Sequence, residues 1–166
     1  MRQLLLLRHA KSSWDDAGVR DHDRVLNERG ELTAPRMGRL LVELDLVPDR
    51  LLTSSALRAR RTADLVAIAA GLDPASIICV EDLYLAPPAM IVDLIRRKGG
   101  DAARLLVVAH NPGLEELVAS LAGQSEAFPT AALAALSIDI DDWNELALLS
   151  PARIDGIWRP RELGRC

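Results

Sequence analysis

A chain of 166 residues, 49% of them hydrophobic and 27% charged, can enclose one full hydrophobic core without a metal or a disulfide to hold it. Its formal net charge of −4 and pI near 5.4 argue against a nonspecific nucleic-acid binder, which needs an excess of Lys and Arg. Cys79 in an apolar run and Cys166 at the last position make no CxxC pair and suit a reducing, cytoplasmic compartment. The apolar runs are too short for a secretory leader or a membrane span, so a soluble protein with no membrane partner is expected.

Leu4 to Leu7 show no alternation and read as a strand buried on both faces, as in the centre of a parallel sheet. The strand stops abruptly at Arg8-His9. Ser12 to Gly30 follows without periodicity, a connection long enough to expect a functional loop. Thr33 reads as an N-cap with Pro35 in the first turn, and Met37, Leu40, Leu41 and Leu44 form one apolar helical stripe that Pro48 ends.

Arg50 to Ser54 reads as a second strand, and Ser54 or Ser55 as the cap of a helix carrying Thr62, Leu65, Val66 and Ala69 and closed by Gly71. A third strand is expected over Ser76 to Val80, ending at Glu81-Asp82. Pro87-Pro88 then opens a helix with Ile91, Leu94 and Ile95, which stops at Lys98-Gly99-Gly100.

Leu105 to Ala109 is the second unmistakable buried strand, and it too ends on a histidine, His110. Asn111 is expected to cap the next helix, with Pro112 in its first turn and Leu114, Leu117, Val118 and Leu121 as its stripe. Beyond Gly123 the pattern changes: Ala132 to Ile138 and Glu145 to Leu149 read as two strands joined through Asp139 to Trp143, and Pro151 to Cys166 as a tail anchored by Ile157-Trp158. The whole chain, 1–166, therefore reads as a single α/β domain, a mostly parallel central sheet between helix layers.

In such a sheet the carboxyl ends of the parallel strands share one edge, where ligands bind. Here that edge gathers Arg8 and His9, then Ser54, Ser55 and Arg58, then Glu81 and Asp82, then His110. Guanidinium forks match phosphate oxygens, and the helix start after His110 adds backbone N–H donors. The ligand expected at this edge is a phosphoryl group. Asp21-His22-Asp23 is composed of competent metal ligands, but adjacent loop residues cannot all face one ion without a ligand from elsewhere, and no metal is expected.

The motifs also carry a resemblance. Leu7-Arg8-His9-Ala10, Ser54-Ser55-Ala56-Leu57-Arg58-Ala59-Arg60-Arg61-Thr62 and Val107-Val108-Ala109-His110-Asn111-Pro112 resemble, in order, the signatures of the histidine phosphatase superfamily, whose members have a phosphoglycerate mutase-like fold. The short length and Asp23 to Gly30 are most similar to the SixA-type phosphohistidine phosphatases. The resemblance implies that His9 is the nucleophile and becomes a phosphohistidine, that Arg8, Arg58 and His110 hold the phosphoryl oxygens, and that no cofactor is required. It also implies an acid after the third strand, Asp82 or Glu81, with the spacing to Leu83 slightly favouring Asp82.

Attack requires one bare ring nitrogen on His9, so a backbone acceptor is expected for the other N–H. Lys11 and Ser12, beside the nucleophile, are expected to line the pocket. Arg24 is a further phosphate or substrate contact by the same resemblance, or else a surface arginine paired with Asp21 or Asp23. Ala10 and Ala56 replace the family's usual glycine and a frequent proline. Only Leu83 to Pro87 separate Asp82 from the next helix, too little for a lid, so an open site suited to a phosphorylated protein is expected. A small phosphate ester as substrate, or a phosphate-binding protein without turnover, are the alternatives; oligomeric state is left open.

Overall fold

In a computed structural model, which describes residues 1–164, the strands β1 (Arg2–Arg8), β2 (Arg50–Ser54), β3 (Ile78–Val80), β4 (Arg104–Ala109), β5 (Leu133–Ile138) and β6 (Ala152–Trp158) form one sheet in the order β3-β2-β4-β1-β5-β6. β3, β2, β4 and β1 are parallel to one another, whereas β5 pairs antiparallel with both β1 and β6. Helices α1 (Glu28–Glu43) and α2 (Leu57–Ala69) cover one face; α3 (Pro88–Lys98) and α4 (Gly113–Ala122) cover the other. The α/β class with helices on both faces is as the sequence indicates.

The unbroken leucine run is explained by these two layers. Successive strand residues point to opposite faces: Leu4 and Leu6 pack with Ile91 and Leu94 of α3 and Leu114 and Leu117 of α4. Leu5 and Leu7 pack with Met37 and Leu41 of α1 and Ala63 and Val66 of α2. All four leucines are fully buried, each contributing on the order of 1.5–3 kcal/mol. In register beside them run Leu105 to Val108, so the strands that end on His9 and His110 are neighbours.

Several expectations are corrected at element ends. Helix α1 begins not at Thr33 but at Glu28: the Asn27 side chain accepts the Gly30 N–H at 2.9 Å, and Pro35 lies inside the helix. Gly30 is needed for packing, since a Cβ there would sit 2.2 Å from the Lys11 carbonyl oxygen. No side chain caps α2 from its N-cap position, which is Ala56; Ser54 Oγ accepts the Ala56 N–H instead. Ahead of α4, Asn111 Oδ1 does accept the Glu115 N–H at 3.3 Å, with Pro112 at the N-cap position. β3 starts at Ile78, because Pro74–Ser76 forms a short 3-10 turn.

The larger correction lies after β5. Glu145 to Leu149 is not a strand; Trp143–Glu145 forms a 3-10 turn, and the sixth strand is Ala152–Trp158, in what reads as a tail. It is an edge strand with Arg153 and Asp155 exposed and its other residues only half-buried, so no continuous apolar run marks it. The cysteine expectation is only half covered: Cys79 is exposed on β3, and Cys166 lies outside the described residues. No helix among the described residues is long and apolar enough to cross a membrane.

Candidate active site

The carboxyl ends of β1 and β4 place His9 and His110 with ring centroids 5.1 Å apart. His9 is fixed through its backbone first: its N–H donates to the Ala109 carbonyl at 3.1 Å and its own carbonyl accepts the Ala131 N–H at 3.0 Å. The ring is then set by two contacts. Nδ1 lies 2.8 Å from the Ala10 carbonyl, and Nε2 lies 3.3 Å from the Arg58 Nε donor. A carbonyl can only accept and a guanidinium can only donate, so Nδ1 carries the proton and the lone pair is on Nε2. The backbone acceptor expected for this histidine is therefore Ala10.

Arg58 comes from the first turn of α2 and is 3% exposed. It also donates through Nη1 to the Asp21 carbonyl at 2.6 Å and through Nη2 to Asp21 Oδ2 at 3.0 Å, and Nη2 lies 3.5 Å from His110 Nδ1. One turn later Thr62 ties the helix to the segment after His9, accepting the Ala10 N–H at 3.0 Å and donating to the Arg58 carbonyl at 2.7 Å. That linkage is what the Arg58-Ala59-Arg60-Arg61-Thr62 spacing builds. His110 Nε2 lies 2.7 Å from Ser54 Oγ at the end of β2.

Burial, followed by the nearby guanidinium charges, pushes both histidines far down. For His9 the desolvation penalty outweighs the hydrogen bond to Ala10 and gives a pKa of about 3; His110, with the same leading cause and His9 next, also falls to about 3. Both rings are neutral at physiological pH. Arg8 is half-buried, its Nη1 donating to the Phe128 carbonyl at 3.2 Å while its buried Nε has no partner. An unpaired buried guanidinium N–H costs free energy that an anion in the cavity would recover.

The Ser12 to Leu26 loop supplies the rim. Arg24 donates to the Ser13 carbonyl at 3.1 Å, to Asp21 Oδ1 at 2.9 Å and to Ser12 Oγ, and stacks over Trp14 with its guanidinium carbon 3.3 Å from the ring centroid. Arg24 thus pairs with Asp21, as one of its two readings has it, and its side chain also lines the cavity. Asp21 is the hub, accepting from Arg24, Arg58 and the Tyr84 hydroxyl; the Tyr84 hydrogen bond leads the causes that lower its pKa to about 2. The Tyr84 ring packs edge-on against His110 and His22.

A cavity of about 270 Å³ opens among Arg8, His9, Arg24, Arg58 and His110, with Lys11 and Ser12 on its wall. Seven of the nine residues singled out in the sequence therefore converge. Glu81 and Asp82 do not: both are exposed on a 3-10 turn, and neither lines the cavity. Sequence reasoning missed Tyr84, Trp14 and the bridging role of Asp21. Tyr84, the chain's single tyrosine, offered a weak signal by following the third strand; Asp21 offered only its i, i+3 spacing to Arg24.

The chain's similarities fit this geometry. The model of the histidine phosphatase superfamily (branch 1) matches residues 4–83. An uncharacterised chloroplastic protein of Arabidopsis thaliana is 33% identical over 96% of this chain and 78% of its own length. A crystal structure from Agrobacterium tumefaciens, provisionally designated the phosphohistidine phosphatase SixA, is 29% identical with a TM-score of 0.80 over 96% of this chain and 98% of that one. The protein histidine phosphatase SixA complexed with tungstate shares the fold, with a TM-score of 0.81 at 24% identity over 98% and 99% of the two chains.

Proposed function

The chain belongs to the histidine phosphatase superfamily, as a phosphatase of SixA-type fold, and we propose that it hydrolyses phosphohistidine in proteins through a covalent phosphohistidine on His9. The observation that carries this reading is the His9 ring itself: proton on Nδ1, lone pair on Nε2, and Arg58 within 3.3 Å of that lone pair.

In the first step His9 Nε2 attacks phosphorus, forming an N–P bond as the bond to the substrate's imidazole nitrogen breaks. The leaving imidazole takes a proton from solvent, and the water that attacks in the second step returns one to solvent. In the second step water attacks the phosphorus of phospho-His9, the N–P bond breaks, inorganic phosphate leaves and neutral His9 is restored. Arg8, Arg58 and His110 surround the three equatorial oxygens, and Arg24 adds charge from the rim. Such transfers depend mainly on positioning and electrostatics, so guanidinium groups can supply the charge without a metal or other cofactor.

An imidazole leaving group departs more readily than an alkoxide, and the cavity is open to water. The reading therefore assigns no essential role to Glu81 or Asp82, which are exposed on their turn and do not line the cavity. The short Leu83 to Pro87 turn, with Leu85 exposed at the cavity's edge, favours a protein-borne substrate over a small enclosed ester.

The test is phosphoryl labelling followed by a substrate panel. Incubation with a labelled phosphodonor is expected to give acid-labile label that is lost in His9→Ala, and turnover of a phosphohistidine protein is expected to exceed that of sugar or nucleotide phosphates. Label retained in His9→Ala would overturn the nucleophile; turnover confined to one small ester would overturn the substrate.

A further inference from the structure

Beside the cavity that holds His9 lies a larger one of about 400 Å³, and Arg8, Lys11 and Thr130 line both. The far wall of this second groove carries Arg29 from the first turn of α1 together with Arg159, Arg161 and Glu162 from the segment after β6. So many cations around a single carboxylate are out of character for a chain of formal net charge −4. The acidic groups nearby are also already engaged: Glu126 and Glu162 both pair with Arg159, at 2.8 and 3.5 Å. Lys11, Arg29 and Arg161 make no ion pair among the described residues.

The wall is built rather than trailing. Arg159 Nε donates to the Ala127 carbonyl at 2.8 Å, and Arg36 on α1 donates to the Pro160 and Gly164 carbonyls. Lys11, Arg29 and Arg161, without an ion pair among the described residues, thus line a groove continuous with the His9 cavity through Arg8 and Lys11.

We infer that this groove receives an acidic segment of the phosphorylated protein, flanking the phosphohistidine that enters the His9 cavity. The inference rests on the proposed function and adds what selects the substrate. Carboxylates along an extended chain would meet Lys11, Arg29 and Arg161 while Arg8 holds the phosphoryl end, which lowers KM and speeds encounter without altering the chemical step. A neutral flank gains none of this, and salt weakens it because the cations are exposed.

Kinetics on phosphohistidine peptides flanked by glutamates or by serines test the groove, using the wild-type protein, the Arg29→Gln/Arg161→Gln variant, and phosphoramidate as a small phosphodonor. The wild-type KM for the acidic peptide is expected to be lower by about 3- to 10-fold, shrinking as salt rises. The variant is expected to lose this preference while its kcat and its rate on phosphoramidate stay unchanged. Equal KM values in the wild type, or a preference that survives in the variant, would overturn the inference. If neither peptide is turned over, the proposed function fails instead, and the groove is then judged by fluorescence anisotropy with a phosphate-free glutamate-rich peptide. Binding lost in the variant would sustain the groove; no binding to the wild type would overturn it.

Discussion

The site is made of two regions held in different ways. His9, Arg58 and His110 form a centre of buried side chains at the floor of an open cavity, at 6, 3 and 2% exposure, mounted at the ends of β1 and β4 and on α2. Asp21, Arg24 and Trp14 form a rim on a loop, with the Asp21 side chain 45% and Trp14 73% exposed. The centre owes its geometry to core packing and keeps both imidazoles neutral by desolvation. The rim owes its geometry to ion pairs, which are weak where exposed. The centre brings the two imidazoles and Arg58 together, and the rim fixes the aim of that arginine, because Asp21 is where the two regions touch.

The largest expected effect breaks the centre: Arg58→Ala removes the donor facing His9 Nε2 and should lower kcat/KM by about 10³-fold, with the fold intact by circular dichroism. Next comes the contact between the regions. Asp21→Asn should cost about 10-fold in steady-state kcat/KM by letting Arg58 shift. In the background of Arg58→Ala it should cost almost nothing, since the two act as one unit. An Asp21→Asn effect that is fully additive would mean that the rim acts on substrate independently of Arg58.

A smaller effect concerns stability and pH. Both histidines titrate near 6.5 when unfolded and at about 3 when folded, so below pH 6.5 the unfolded chain binds protons that the folded one refuses. Stability is therefore full above pH 6.5 and falls as pH drops toward 3, by up to about 1.4 kcal/mol per unit for each histidine. Urea melts between pH 6.5 and 5.5, above the usual carboxylate range, should show this slope, and it should be halved in His110→Gln. The smallest expectation is no change at all: dialysis against EDTA should leave turnover on a phosphohistidine peptide intact.

The same contrast explains what could be read in the sequence. The centre was legible because strands buried on both faces leave continuous apolar runs, so Leu4 to Leu7 and Leu105 to Ala109 point directly at His9 and His110. The rim was not, because Asp21 and Tyr84 are brought together across a loop whose residues carry no period. At the other edge of the sheet β6 was hidden for a related reason: half-exposed and interrupted by Arg153, Asp155 and Gly156, it reads like a tail, while Leu146, Leu148 and Leu149 imitate a strand. The start of α1 was misplaced because Pro35 suggests a first turn, although Asn27 already caps the helix eight residues earlier.

The most direct measurement is the position of the phosphoryl group on the trapped enzyme. Phosphorus NMR and mass spectrometry of the protein quenched after reaction with a phosphodonor should locate the group on Nε2 of His9, the nitrogen left bare by the Nδ1 hydrogen bond to Ala10. Phosphorylation at Nδ1 of His9, or on His110, would contradict the division of roles between the two histidines.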